Sequence, residues 1–260
     1  MGAEPVFTLI YSHNPLPDMT NKLSIRRCIP KPVLLIFFTL FGLRGLAQDS
    51  SYTRPPLTDK WEDYKKQVKD DPSKKMTELK ELIPGIVYDL RYATTNNFMR
   101  RLMYPAATPY TYMRLPAATA LQKIQQELNA KGLGLKIYDA YRPYSVTVKF
   151  WELVKDERYV ANPSKGSGHN RGVAVDLTII DIKTRKELNM GTGFDNFSDT
   201  AHHTFKKLPA DVLANRELLR STMEKFGFNT YNEEWWHYSW PGPGKFEILD
   251  IDFKKMKKDL

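Results

Sequence analysis

Five histidines occur in the 260-residue chain, and four of them, His169, His202, His203 and His237, fall in its C-terminal part. His169 lies in Ser167-Gly168-His169-Asn170-Arg171-Gly172, seven residues before Asp176, and His237 closes Glu234-Trp235-Trp236-His237. Two imidazoles and a carboxylate suit a catalytic zinc, which takes three protein ligands and keeps a fourth position for water. Glu234 is a spare carboxylate among Trp235, Trp236, Tyr238 and Trp240, a setting in which charge is costly to bury unless it is paired or metal-bound. Such a glutamate could serve a zinc hydrolase as general base. Arg142, in Asp139-Ala140-Tyr141-Arg142-Pro143, could set a fixed positive charge against a developing oxyanion. Each piece has a plainer reading. His169 and Asp176 could be a loop histidine beside a strand-end aspartate, His237 a satisfied core histidine, and Arg142 a structural partner of Asp139. His202 and His203 are rival ligands.

These residues need elements to position them. Leu135–Asp139 alternates like a strand, Gly172–Asp181 is rich in β-branched residues, and Trp235–Trp240 is aromatic and ends at Pro241. Pro116 opens a helix with Leu121, Ile124 and Leu128 at helical spacing and Gly132 beyond its end. Further helices are expected from Ser145 to about Lys155 and from Arg216 to Phe226, the latter stopped by Gly227. Seven extended residues would separate His169 and Asp176 by roughly 20 Å or more, so a shared ion requires the chain to fold back between them. Gly166, Gly168 and Gly172 provide the backbone freedom. Strands and helices mix without a βαβ rhythm, which predicts an α+β single domain with a central, mainly antiparallel sheet flanked by helices.

The front of the chain reads as an address. Lys22, Arg26, Arg27 and Lys31 precede an apolar run, Val33 to Leu43, and Gly45-Leu46-Ala47 follows it. As a helix the run would rise about 16 Å, roughly half a bilayer core. This order predicts a signal peptide over residues 1–47, with Met19 as its true start and cleavage after Ala47, hence export to the periplasm. Uncleaved, the segment would tether the protein to a membrane. A polar leader over 48–60 and one domain over 61–260 complete the expected organisation, and no linker or repeat divides the domain. The one cysteine, Cys28, excludes a disulfide framework and a thiolate zinc cluster, and it falls inside the signal segment. The full chain carries a net charge of +9; without residues 1–47 it has 34 basic against 28 acidic residues, a net of +6. These charges are scattered, with no aromatic-interleaved basic stripe, so nucleic acid is not an expected partner. Oligomeric state is not legible.

SGHNRGVAVD, EWWHY and DAYRP, with YDLRYATTNNF upstream (Tyr88 to Phe98), together resemble the zinc-dependent D-alanyl-D-alanine dipeptidases of vancomycin resistance and D-Ala-D-Ala turnover. The resemblance runs from about Tyr88 to Tyr238 and implies a hedgehog-like metallopeptidase fold. It implies one Zn2+ per chain on His169, Asp176 and His237, with Glu234 as general base and Arg142 stabilising the tetrahedral intermediate. Ser167, Tyr92 and, in Met190-Gly191-Thr192-Gly193-Phe194-Asp195, Asp195 match the family's substrate-pocket residues. The stretch after Asp195 keeps the paired histidines but otherwise departs from the family pattern. The implied reaction is hydrolysis of D-Ala-D-Ala, and the implied partners are short D-amino-acid peptides from the cell wall. Two alternatives stand beside it: a peptidase acting on longer peptidoglycan stem peptides, and a non-catalytic zinc-containing wall-binding module.

Overall fold

The computed structural model describes residues 52–242 and 245–258, so the segment read as a signal peptide, with Cys28, lies outside the described residues. In chain order these residues form β1 (Leu57–Thr58), α1 (Trp61–Asp70), β2 (Met76–Glu78), α2 (Leu79–Leu82), β3 (Val87–Tyr88), β4 (Tyr112–Arg114), α3 (Leu115–Asn129) and β5 (Leu133–Asp139). There follow α4 (Tyr144–Val154), β6 (Ala174–Asp181), α5 (Ala210–Lys225), β7 (Asn229–Tyr231), β8 (Glu234–Ser239), β9 (Ile248–Leu249) and α6 (Phe253–Lys258). Helices and a mainly antiparallel sheet are mixed in one α+β fold. No helix among the described residues is long and apolar enough to cross a membrane.

The sheet that carries the site has the order β3-β5-β6-β8-β7, parallel only between β3 and β5. Its central strand β6 is buried over Ala174–Ile180, which explains its run of Val, Leu, Thr and Ile. Val175, Leu177 and Ile179 join Leu135 and Ile137 of β5 in the main core, while Asp176 points to the opposite face. α3 packs on β5 through a buried stripe, Leu121, Ile124 and Leu128. It ends before Gly132, whose φ of +74° is the left-handed conformation that releases a helix. α4 begins after Pro143 and ends where Lys155 turns left-handed.

One helix differs from expectation. α5 starts at Ala210, after Pro209, rather than at Arg216. Its buried face is Val212, Arg216, Leu219 and Met223, so an arginine sits inside the stripe and masks the apolar period. The segment read as a polar leader also takes part in the fold, because Leu57 and Thr58 pair in parallel with Ile248 and Leu249. The short pairings β1–β9 and β2–β4 carry no periodic signal of their own.

Candidate active site

Strand register brings the site residues together. Asp176 of β6 pairs directly with His237 of β8 on one side and with Asp139 of β5 on the other. Three side chains from distant parts of the sequence thus line up in a row across the sheet, on the face away from the core. His169 arrives from the loop before β6. Here the chain folds back through a tight turn, with Gly172 N donating to His169 O and Val173 N to Gly168 O. Gly172 has a φ of +71°, and a Cβ on Gly168 would meet that of Ala174 at 2.8 Å, so both positions demand glycine. Asn170, wholly buried, pins the turn by donating to Arg142 O and Thr147 Oγ1, each at 2.8 Å.

His169, Asp176 and His237 each offer a ligand atom, and these atoms lie within 4.8 Å of one another. His169 Nδ1 donates to Ala140 O at 2.7 Å, which leaves Nε2 facing Asp176 Oδ2 at 3.5 Å. Fixing one ring nitrogen with a carbonyl, so that the other faces inward, is the arrangement metal-bound histidines use. Two imidazoles and one carboxylate, converging and mostly buried, fit a zinc ion in donor chemistry and number. Burial opposes ionisation of Asp176, but His169 and His237 outweigh it and hold the carboxyl well below the ordinary range. His202 and His203 stand outside this group. His203 Nε2 is buried without a partner, and burial, with Arg220 and Arg216 nearby, brings the imidazole down to about 4, so it is neutral.

Glu234 is the first residue of β8, its Oε2 3.9 Å from His237 Nδ1. Three residues along a regular strand would place it on the opposite face from His237. The pairing with β7 breaks register there, Thr230 standing opposite Tyr238 but Tyr231 opposite Glu234, and strict alternation does not reach it. Burial raises the Glu234 carboxyl above its ordinary value.

A cavity of about 210 Å³ opens over this row, and Tyr92, Arg142, Ser167, Asp195 and Glu234 line it with the three candidate ligands. Asp195 sits with φ at +58°, in the left-handed region. Its Oδ1 accepts from Tyr92 OH at 3.0 Å, while its buried Oδ2 has no partner. Burial, and the nearby Asp176 charge, push the Asp195 carboxyl far above its usual range. Ser167 Oγ accepts from Asn170 N, so this hydroxyl shapes the histidine turn as well as facing the cavity. Arg142 both pairs with Asp139 and lines the cavity. Beside Trp236, sequence reasoning did not single out the aromatic lining of Phe98, Phe150, Phe197 and Tyr231. These come from four separate segments, and only their convergence marks them.

A mostly buried trio of metal donors, a neighbouring glutamate and an arginine at one cavity define a metallohydrolase site on an α+β scaffold. Residues 72–258 match the peptidase family described as D-ala-D-ala dipeptidase, and the chain belongs to that family. It is 33% identical to the D-alanyl-D-alanine dipeptidase of Escherichia coli (strain K12) over 178 residues, 68% of this chain and 91% of that protein. The D-alanyl-D-alanine dipeptidase of Enterococcus faecalis is 32% identical, with 62% of this chain and 88% of that one covered. Among solved structures, a mutant of the vancomycin-resistance D,D-pentapeptidase VanY in complex with Zn(II) is a distant likeness. It has 16% identity and a TM-score of 0.33, over 58% of this chain and 86% of that one.

Proposed function

We propose that this protein hydrolyses D-Ala-D-Ala to two molecules of D-alanine with one zinc ion per chain. The convergence of His169, Asp176 and His237 beside Glu234 carries the reading, and family membership supports it. When bound by these three residues, zinc supplies a Lewis acid and lowers the pKa of water from about 15.7 to about 7. Glu234 takes the proton of the attacking water and delivers it to the leaving amine, a transfer eased by a carboxyl whose pKa is already raised. Arg142 places a permanent positive charge where the scissile carbonyl develops negative charge. The unpartnered Oδ2 of Asp195 accepts the substrate's free ammonium, with Tyr92 holding the other carboxylate oxygen. A longer peptide entering the same way would leave Asp195 without that ammonium, which favours the dipeptide over stem peptides.

Residues 1–47 are proposed to direct export and to be removed after Ala47, which places the peptidase domain among wall-derived peptides in the periplasm. N-terminal sequencing of secreted protein tests this. The activity is tested with purified zinc-loaded protein on D-Ala-D-Ala, L-Ala-D-Ala and a stem pentapeptide. Release of D-alanine chiefly from the dipeptide supports the reading. Preference for the pentapeptide points to a stem-peptide carboxypeptidase, and metal binding without turnover of any of the three points to a wall-binding module.

A further inference from the structure

The hydrolytic scheme leaves the fully buried Asp139 unused. A bulge turns it toward the site. Ile137 pairs with Leu177, yet Asp139 pairs with the adjacent residue Asp176, so two steps along β5 match one along β6. Asp139 therefore leaves the core face it would share with Ile137 and joins the face of Asp176. There its Oδ2 accepts from Arg142 Nε at 3.1 Å and Nη2 at 2.7 Å, while its Oδ1 accepts from Tyr104 OH at 2.5 Å. Two of the three guanidinium nitrogens are thus committed to one carboxylate. The Tyr92 and Phe150 rings flank the same guanidinium, their centroids 5.2 and 5.0 Å from its central carbon. The Arg142 backbone is tied as well, its N–H donating to His169 O and its C=O accepting from Asn170 Nδ2.

The need for such restraint lies in the cavity itself. Asp195 and Glu234 line it beside Arg142, and either carboxylate would draw a loosely held guanidinium away from the reacting carbonyl. We propose that Asp139, steadied by Tyr104, is a positioning residue that holds Arg142 off the catalytic and substrate-binding carboxylates and aims its Nη1 edge at the oxyanion. The inference rests on the hydrolytic reading above. Asp139 does not line the cavity; its Oδ2 also lies 3.7 Å from His169 Nδ1, so unchanged zinc content in Asp139→Asn is part of the expected result.

The test is a double-mutant cycle on the zinc-loaded enzyme with D-Ala-D-Ala. Asp139→Asn keeps the shape and removes the charge; it is expected to lower kcat by about 10- to 100-fold while KM moves far less, because misaiming a group by about 1 Å costs that much. Tyr104→Phe is expected to lower kcat in the same direction by a smaller factor. In an Arg142→Ala background, Asp139→Asn should cost no more than about twofold further, since its effect passes through the arginine. An equal loss in both backgrounds, or wild-type kcat in Asp139→Asn, overturns the proposal. If Asp139→Asn does not fold, the same cycle with Tyr104→Phe decides it. A readout without turnover separates this inference from the substrate reading. The Arg142 Nε–H proton should exchange slowly with solvent in NMR spectra of the wild-type protein and markedly faster in the variant. Equal exchange overturns the positioning role, whereas intact D-Ala-D-Ala with wild-type enzyme overturns only the substrate.

Discussion

Asp176 and His237 face each other across β6 and β8, with His237 Nδ1–H donating to Asp176 Oδ1 at 2.8 Å. Burial works against the His237 cation, but Asp176 and Glu234 outweigh it and hold the imidazole above its ordinary 6.5. In the metal-free protein the ring therefore keeps its proton to higher pH than a free histidine does. Metal must displace that proton, so zinc affinity is expected to fall as pH drops through the raised value, starting above 6.5. For the metal-free fold the sign reverses. A raised pKa contributes stability fully present below 6.5 and lost as pH rises through the folded value. Chelator competition and melting of the metal-free protein, each from about pH 6 to 9, check both limbs. A pH-independent affinity would contradict the exchange of proton for metal at His237.

Glu234 touches the donor group only at 3.9 Å, from Oε2 to His237 Nδ1. Glu234→Gln is therefore expected to keep stoichiometric zinc and lose about 10²- to 10⁴-fold in kcat, the usual range for a general base. Asp176→Ala, by contrast, should lose the metal itself. Elemental analysis beside steady-state kinetics separates the two. A Glu234→Gln enzyme with full turnover would show that some other group moves the proton.

Much of this site could be read from sequence because the chemistry sits in short motifs. His169, Asp176, Glu234 and His237 fall within two stretches, and the β-branched run of β6 and the aromatic run of β8 mark their strands. Register was not legible. That Asp139, Asp176 and His237 form one row depends on pairings between strands 37 and 61 residues apart, which no local pattern encodes. Regular alternation would leave Asp139 on the core face with Ile137, and only the bulge reverses it. The Arg142–Asp139 pair, only three residues apart, was legible as one of two readings; that the same arginine also lines the cavity was not. The start of α5 was missed because Arg216 occupies a buried position that an apolar period reads as polar.

Asp195 yields a prediction about protons. Its carboxyl is raised far above the usual range by burial, with Asp176 adding to the effect, and its Oδ2 has no partner. An arriving ammonium favours the ionised form and pulls that pKa down, so dipeptide binding should release a proton. Titration calorimetry in buffers of different ionisation enthalpy, using Glu234→Gln to prevent turnover, measures it. Asp195→Asn should abolish the release and raise KM, and N-acetyl-D-Ala-D-Ala should bind poorly to the unaltered protein. Proton uptake instead of release would remove Asp195 from the ammonium site.

Arg216 governs the loop on which Asp195 is carried. From a buried position on α5 its Nε donates to Met190 O at 2.8 Å, Nη2 to Thr200 O at 2.8 Å and Nη1 to His202 O at 3.3 Å. One side chain thus clamps the segment on both sides of Asp195, whose left-handed φ of 58° needs such support. Arg216→Ala strands three carbonyls and is expected to cost about 2–4 kcal/mol of stability, read as a lowered Tm. Arg216→Lys fills the space but cannot reach all three acceptors with its single nitrogen. In that variant KM for D-Ala-D-Ala should rise about tenfold or more with kcat changed far less, because the ammonium site loosens while Glu234 stays on β8 and Arg142 in the connection after β5. Loss of kcat at constant KM would place the effect of the clamp on the metal side of the cavity instead.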